Sequence, residues 1–236
     1  MATAGVIERN RDEIAAAGDV WIRQTVTRGC ISDPLDPEFR PTVIVKLRRL
    51  NLHVFGPLYR RGADLHVSLL TSHFAGAMDP RAKAANRSAA VRADLKGVRM
   101  RRFGGGEWTL VYNADGTVSE THSANVCIVA GGRLVRPLRR AALEGVRLET
   151  AAELARGPGI EVEEQPLTLY DALNSDETIL CGTSFSILLV VSVDGIPLRR
   201  LDRVYPQLVR AWIELVGLDF VEQAEERARI AGVEVG

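Results

Sequence analysis

Three turn dipeptides constrain this chain more than anything else in it. Asp115-Gly116, Gly131-Gly132 and Asp194-Gly195 each stand between short β-branched, apolar segments. Pairs of that kind supply the positive φ values that tight hairpins demand. The segments they join are Trp108–Asn113, Thr117–Glu120, Asn125–Val129, Leu134–Pro137, Thr178–Leu180 and Ser186–Leu198. Strands therefore dominate the middle of the chain. Further strands are expected at Val20–Gly29, Thr42–Leu50, Asp64–Phe74 and Ile160–Leu167.

Helical patterns interrupt the strands. Val6–Ala17 reads as a short helix ended by Gly18. Asp79 and Pro80 read as the cap and first turn of an alanine- and arginine-rich helix running to Gly97. Ala141–Arg156 reads as a helix ended by Gly157, Tyr170–Glu177 as a polar helical turn, and Tyr205–Gly232 as one or two amphipathic helices. Gly56, Pro57 and Gly62 mark turns, and Cys30–Pro41 is a polar, proline-bearing loop. The expected fold is mixed α/β (α+β) around a largely antiparallel core, not a regular βαβ array.

Formal net charge is zero, from 30 basic and 30 acidic residues. The total points to no nucleic-acid or membrane partner, and the small basic runs Arg99–Arg102 and Val135–Arg140 read as solvated surface or phosphate-facing loop. No apolar run approaches the roughly 18 residues of a membrane span, and the start lacks a signal-peptide core. Cys30, Cys127 and Cys181 have no metal spacing and read as thiols of a reducing compartment, so the expected location is cytoplasmic.

Chemistry enters through one stretch, Asp115–Asn125 (DGTVSETHSAN), which sets Glu120 just past a tight turn and before an apolar strand. Lysine is scarce, so any amine chemistry has three candidates: Lys46, Lys83 and Lys96. Lys46 lies in an arginine-flanked strand and Lys96 at a helix end. Lys83, in DPRAKAAN with Arg81 two residues away, is the candidate for a lowered amine pKa. Gly145 opens a helix whose first amides, Val146 and Arg147, could cradle a phosphate, and Gly182-Thr183-Ser184 is a second donor cluster. An amine for an aldehyde, a carboxylate for a ring nitrogen and amides for a phosphate are what pyridoxal 5′-phosphate needs. Asn125 could orient the Glu120 carboxylate or close the turn.

Two other readings are weaker. Ser184 or Ser186 with His122 or His73 lacks the second glycine of a nucleophile elbow. The spacings of His53, His66 and His73 match no common metal-ligand pattern.

The ordered set WIRQTVTRG, MDPRAKAAN, DGTVSETHSAN, LEGVRLETAAELA, IEVEEQPLTLYDALNSDETILCGTSF and VSVDG, over about residues 20 to 196, resembles the class IV aminotransferases. These are pyridoxal-phosphate enzymes of fold type IV, including branched-chain and D-amino-acid transaminases and aminodeoxychorismate lyase. The resemblance implies a small N-terminal α/β domain, here residues 1–55 and only partly present, followed by a larger β-rich pseudobarrel domain, residues 56–236. It implies that Lys83 holds the cofactor and shuttles the proton. By the same likeness Glu120 pairs with the pyridine nitrogen, and Val146, Arg147 and Thr183 hold the phosphate; Asn125 is counted with these cofactor-binding residues. Thr183, Ser184 and Arg28 would meet the substrate. It further implies a homodimer acting on an amino acid and a 2-oxo acid.

The chain departs from the family pattern at five places. Arg87 stands where a tyrosine often follows the lysine, and Gly145-Val146-Arg147-Leu148 replaces Gly-Ile/Val-Ser/Thr-Arg. Leu189 replaces a proline, RRLDRVYPQ replaces a glycine-rich substrate loop, and no Arg-x-His carboxylate trap follows Thr27. The missing trap favours an L-amino donor, branched-chain among them. The alternatives are an aminodeoxychorismate lyase-like enzyme and a non-catalytic homologue that keeps the scaffold as a binding module.

Overall fold

A computed structural model describes residues 2–29, 40–71, 79–86, 88, 91–95 and 108–235. Cys30, most of the loop that follows it, His73, Arg87, Lys96 and the basic run at 99–102 lie outside the described residues. The chain divides into two compact units, Met1–Leu52 and His53–Gly236.

In the smaller unit, helices α1 (Ala2–Arg9) and α2 (Arg11–Ala17) precede an antiparallel ribbon of β1 (Val20–Thr27) and β2 (Thr42–Arg49). The expected single helix is thus two, broken at Asn10. Its expected end holds, with Gly18 at φ 77° donating to the Ile14 carbonyl. Within this unit Gln24 Nε2 donates to Thr3 Oγ1 (2.7 Å), and the Arg48 guanidinium lies over the Trp21 ring.

The larger unit opens with helix α3 (Gly56–Arg61), where the sequence suggests only turns. The proline falls in its first turn, where a missing N–H costs nothing, and Gly62 at φ 86° ends it. Strands β3 (Ala63–Thr71), β4 (Trp108–Tyr112), β5 (Val118–Thr121), β6 (Ala124–Ala130) and β7 (Arg133–Arg136) follow. Then come helix α4 (Val146–Arg156), β8 (Val162–Glu164), helix α5 (Leu169–Asn174), β9 (Glu177–Gly182), β10 (Ser186–Val193) and β11 (Ile196–Pro197). Helices α6 (Tyr205–Val216) and α7 (Phe220–Ile230) come last.

Six strands close into a barrel in the order β3-β4-β5-β6-β9-β10 and back to β3. Four of the six pairings are antiparallel; β10–β3 and β3–β4 are parallel. Parallel neighbours need a long crossover, and the 36 residues between β3 and β4 provide one. The strand period of two sorts the barrel into two apolar sets. Leu65, Leu110, Val126, Ile128, Leu180, Leu188 and Val190 share the inner core. Cys127, Val129, Ile179, Cys181, Ile187 and Leu189 face outward against Leu148 and Ala151 of α4 and Leu208 and Trp212 of α6. Each such leucine buried contributes roughly 2 kcal/mol.

Asp79–Asn86 corrects one expectation. This segment is turn, bend and irregular chain, and among the described residues that follow it helix is present at 88 and 91–95. The Asp79 side chain accepts from the Arg81 N–H (2.9 Å) and pairs with its guanidinium (2.7 Å), closing a local turn that competes with the helix.

Candidate active site

A bulge in β5 builds the site. Tyr112 pairs with Val118 but Val111 pairs with Glu120, so Ser119 is an extra residue on one strand. Strict alternation would send Glu120 inward with Val118. The extra residue instead turns both Ser119 and Glu120 toward the segment that precedes α4. Ser119 Oγ donates to the Ala141 carbonyl (2.9 Å), and Glu120 Oε2 accepts from the Leu143 N–H (3.3 Å).

Around the barrel the register then runs Ser68–Val111–Glu120–Asn125–Cys181–Ile187, one residue from each of the six strands. Asn125 is buried, and its Nδ2 donates to the Leu143 carbonyl (3.0 Å). Gly145, one step before α4, passes so close that a Cβ there would stand 2.0 Å from Asn125 Oδ1. The start of α4 is thereby fixed over the Glu120–Asn125 pair. Among the described residues no side chain caps this helix, and Val146 is 76% exposed, so its first amides are left without an intrahelical or side-chain acceptor at the helix's partially positive end. The Arg147 side chain turns away, onto the Trp212 ring of α6 at 5.6 Å, leaving its backbone as the candidate donor.

Gly182 pairs with Ala124, next to Asn125, so the β9–β10 turn begins beside the same row. Thr183 and Ser184 are exposed in that turn, and Phe185 is buried behind it. Lys83 is exposed in the 79–86 segment. Arg81, two residues away, is held above its ordinary pKa chiefly by its hydrogen bond and ion pair with Asp79, with a further contribution from Glu144. The structure thus gathers Glu120, Asn125, Val146, Arg147, Thr183 and Ser184 on one side of the barrel. Arg28 belongs to the other unit, exposed after β1, and so does Lys46 on β2.

Sequence reading missed three contributors. Leu143 acts through its backbone, which no side-chain pattern reveals. Arg136 is buried on β7 and binds Glu149 of α4 (2.5 Å) through one nitrogen, while its Nε and Nη1 have no hydrogen-bond partner among the described residues. Tyr59 of α3 donates its hydroxyl to the Phe185 carbonyl (2.5 Å). His122 pairs with Asp94 (2.9 Å) and His66 with Asp194, so among the described residues each histidine–carboxylate pair stands without a serine.

A carboxylate, exposed helix-terminal amides and an exposed hydroxyl-bearing turn on one barrel face form a donor set that suits a phosphorylated, ring-nitrogen cofactor. Comparison with known proteins agrees with the fold. The chain belongs to the class IV aminotransferase family, whose model matches residues 2–193. It is 29% identical over 180 residues to a Methanocaldococcus jannaschii protein provisionally named a branched-chain-amino-acid aminotransferase, covering 75% of this chain and 60% of that one. It is similar to the solved Escherichia coli branched-chain amino acid aminotransferase, with TM-score 0.72 and 27% identity over 91% of this chain and 71% of that one. The branched-chain aminotransferase of the thermophilic archaeon Thermoproteus uzoniensis, solved with norvaline, shares the fold at TM-score 0.73 and 21% identity, over 91% and 71% of the two chains. The chain thus spans about three-fifths of the length of the Methanocaldococcus relative.

Proposed function

We propose that this protein is a pyridoxal-phosphate-dependent aminotransferase that moves an amino group from an amino acid, branched-chain by preference, to a 2-oxo acid. The observation that carries the reading is the Glu120–Asn125 pair with Leu143 held between it and α4. It sets a carboxylate beside helix-terminal amides on one barrel face.

In this reading the amides of Val146 and Arg147, with Thr183, hold the phosphate. Glu120 keeps a positive charge on the ring nitrogen, and Asn125 holds the loop in register. The cofactor, when bound, supplies the electron sink for the bond broken at the amino acid's α-carbon. The Lys83 amine would hold the cofactor at its aldehyde and, when free, would serve as the general base for the amino acid's α-proton. Thr183 and Ser184 amides meet the substrate carboxylate. Of the two other lysines, Lys46 belongs to the other unit and Lys96 lies outside the described residues. On the same reading the protein works as a homodimer in the cytoplasm.

Reduction with borohydride after incubation with pyridoxal phosphate, followed by peptide mapping, tests the assignment. Label is expected on the Lys83 peptide and absent in Lys83→Ala. An unlabelled wild-type chain would overturn it. With label present, turnover that needs 2-oxoglutarate marks a transaminase, while pyruvate release from aminodeoxychorismate without an acceptor marks a lyase.

A further inference from the structure

The β9–β10 turn is closed at its base by the Gly182–Ser186 pair, and inside it the backbone bonding is loose. The Phe185 N–H reaches the Gly182 carbonyl at 3.4 Å, long for a hydrogen bond, and Ser186 just beyond it has φ 59°, an unfavourable value for a residue with a Cβ. Contacts from outside the turn add to that closure. Phe185 is buried with its ring centroid 5.3 Å from that of Trp108 and 5.5 Å from that of Phe55. Its ring lies so close under Gly182 that a Cβ there would come within 2.5 Å of it. The ring therefore fixes where the turn starts.

The polar anchor is Tyr59. Its hydroxyl donates to the Phe185 carbonyl at 2.5 Å, across 126 residues of chain, and its ring packs against Phe220 at 5.8 Å. Burial, with Tyr205 adding to it, pushes the Tyr59 phenol far above its ordinary value, so it stays a neutral donor across the working pH range.

We infer that Tyr59 is a positioning residue for phosphate recognition. Its hydroxyl holds the Gly182–Phe185 turn in one arrangement, so that Thr183 is ready for the phosphate without first being ordered. This rests on the proposed cofactor site. It adds a residue remote in sequence from every motif that pointed to that site.

Tyr59→Phe removes the hydroxyl and keeps the ring. Affinities for pyridoxal 5′-phosphate and for pyridoxal, which lacks the phosphate, are measured by fluorescence titration on wild type and variant. The variant is expected to lose about tenfold toward the phosphorylated form, the worth of one good hydrogen bond, and to hold pyridoxal within about twofold. Equal losses for both ligands, or none, would overturn the inference. Hydrogen exchange on the cofactor-free protein gives a second reading. The Thr183 and Ser184 amides should exchange at least about tenfold faster in the variant, with Val126–Val129 unchanged; unchanged turn amides would also overturn it. If wild type fails to prefer the phosphorylated ligand, the proposed function fails, and exchange still decides the role of Tyr59.

Discussion

Glu120 and Asn125 stand opposite one another across β5 and β6, and both grip Leu143: one accepts its N–H, the other donates to its carbonyl. A single backbone unit between two side chains ties the barrel wall to the start of α4. The following consequences can be measured.

Gly145 should be intolerant of any side chain while Asn125 is present. Its φ of −71° suits every residue, so the obstacle is the overlap with Asn125 Oδ1 alone. Gly145→Ala is expected to cost about 1–3 kcal/mol. Gly145→Ala with Asn125→Ala should cost clearly less than the sum of the two single changes, by on the order of 1 kcal/mol in a urea-denaturation cycle. Strict additivity would mean that the two residues do not meet.

Glu177 is fully buried at the start of β9, and its carboxylate accepts from the N–H groups of Arg203 (2.5 Å), Val204 (3.0 Å) and Tyr205 (2.6 Å). It supplies from a distant strand the cap that the sequence before α6 lacks. Glu177→Ala should lower unfolding free energy by on the order of 3 kcal/mol, and Glu177→Gln by less because one acceptor remains. Equal, small losses in both variants would show that the three donors are satisfied otherwise.

The Arg136–Glu149 pair makes stability depend on acid. The hydrogen bond from Arg136 holds the Glu149 carboxyl below its ordinary value of 4.5; burial opposes this, and the charges of Arg136 and Arg139 assist it. A depressed carboxyl stabilises the fold fully above its unfolded value and stops doing so as pH falls through its folded one. Glu149→Gln should therefore destabilise at pH 7, by on the order of 2 kcal/mol because buried Arg136 loses its acceptor. The gap between the two urea midpoints should shrink as pH drops below about 4.5. A gap independent of pH would exclude the pair as its source.

Cys127 and Cys181 are buried on adjoining strands with their sulfurs 3.8 Å apart. The hydrogen bond with Cys127, then burial, pushes the Cys181 thiol well above its ordinary value, which suppresses the reactive thiolate. Iodoacetamide at pH 8 should label neither peptide in the native protein and both after denaturation. Native labelling of either would mean that the barrel wall opens.

Much of the architecture was legible because it is local. The Gly131-Gly132 pair, with φ 58° and 78°, turns β6 into β7, and Asp194-Gly195 turns β10 into β11, as their residue types require. Alternation of apolar residues marked the strands. Local signals failed where a short-range contact competes with a helix, as in the turn that Asp79 closes through Arg81. They failed also at Gly56-Pro57, where residues common in turns open a helix.

The sequence by itself determined the strands, the hairpins, the family and the residue types the chemistry calls for, since each follows from neighbours a few positions apart. Tertiary structure alone decided that Ser119 bulges and re-aims Glu120, that Leu143 is held from both sides, and that Tyr59 reaches Phe185. Those facts depend on how barrel closure brings distant strands into register, and no pairing across such separations is written in any single stretch of chain.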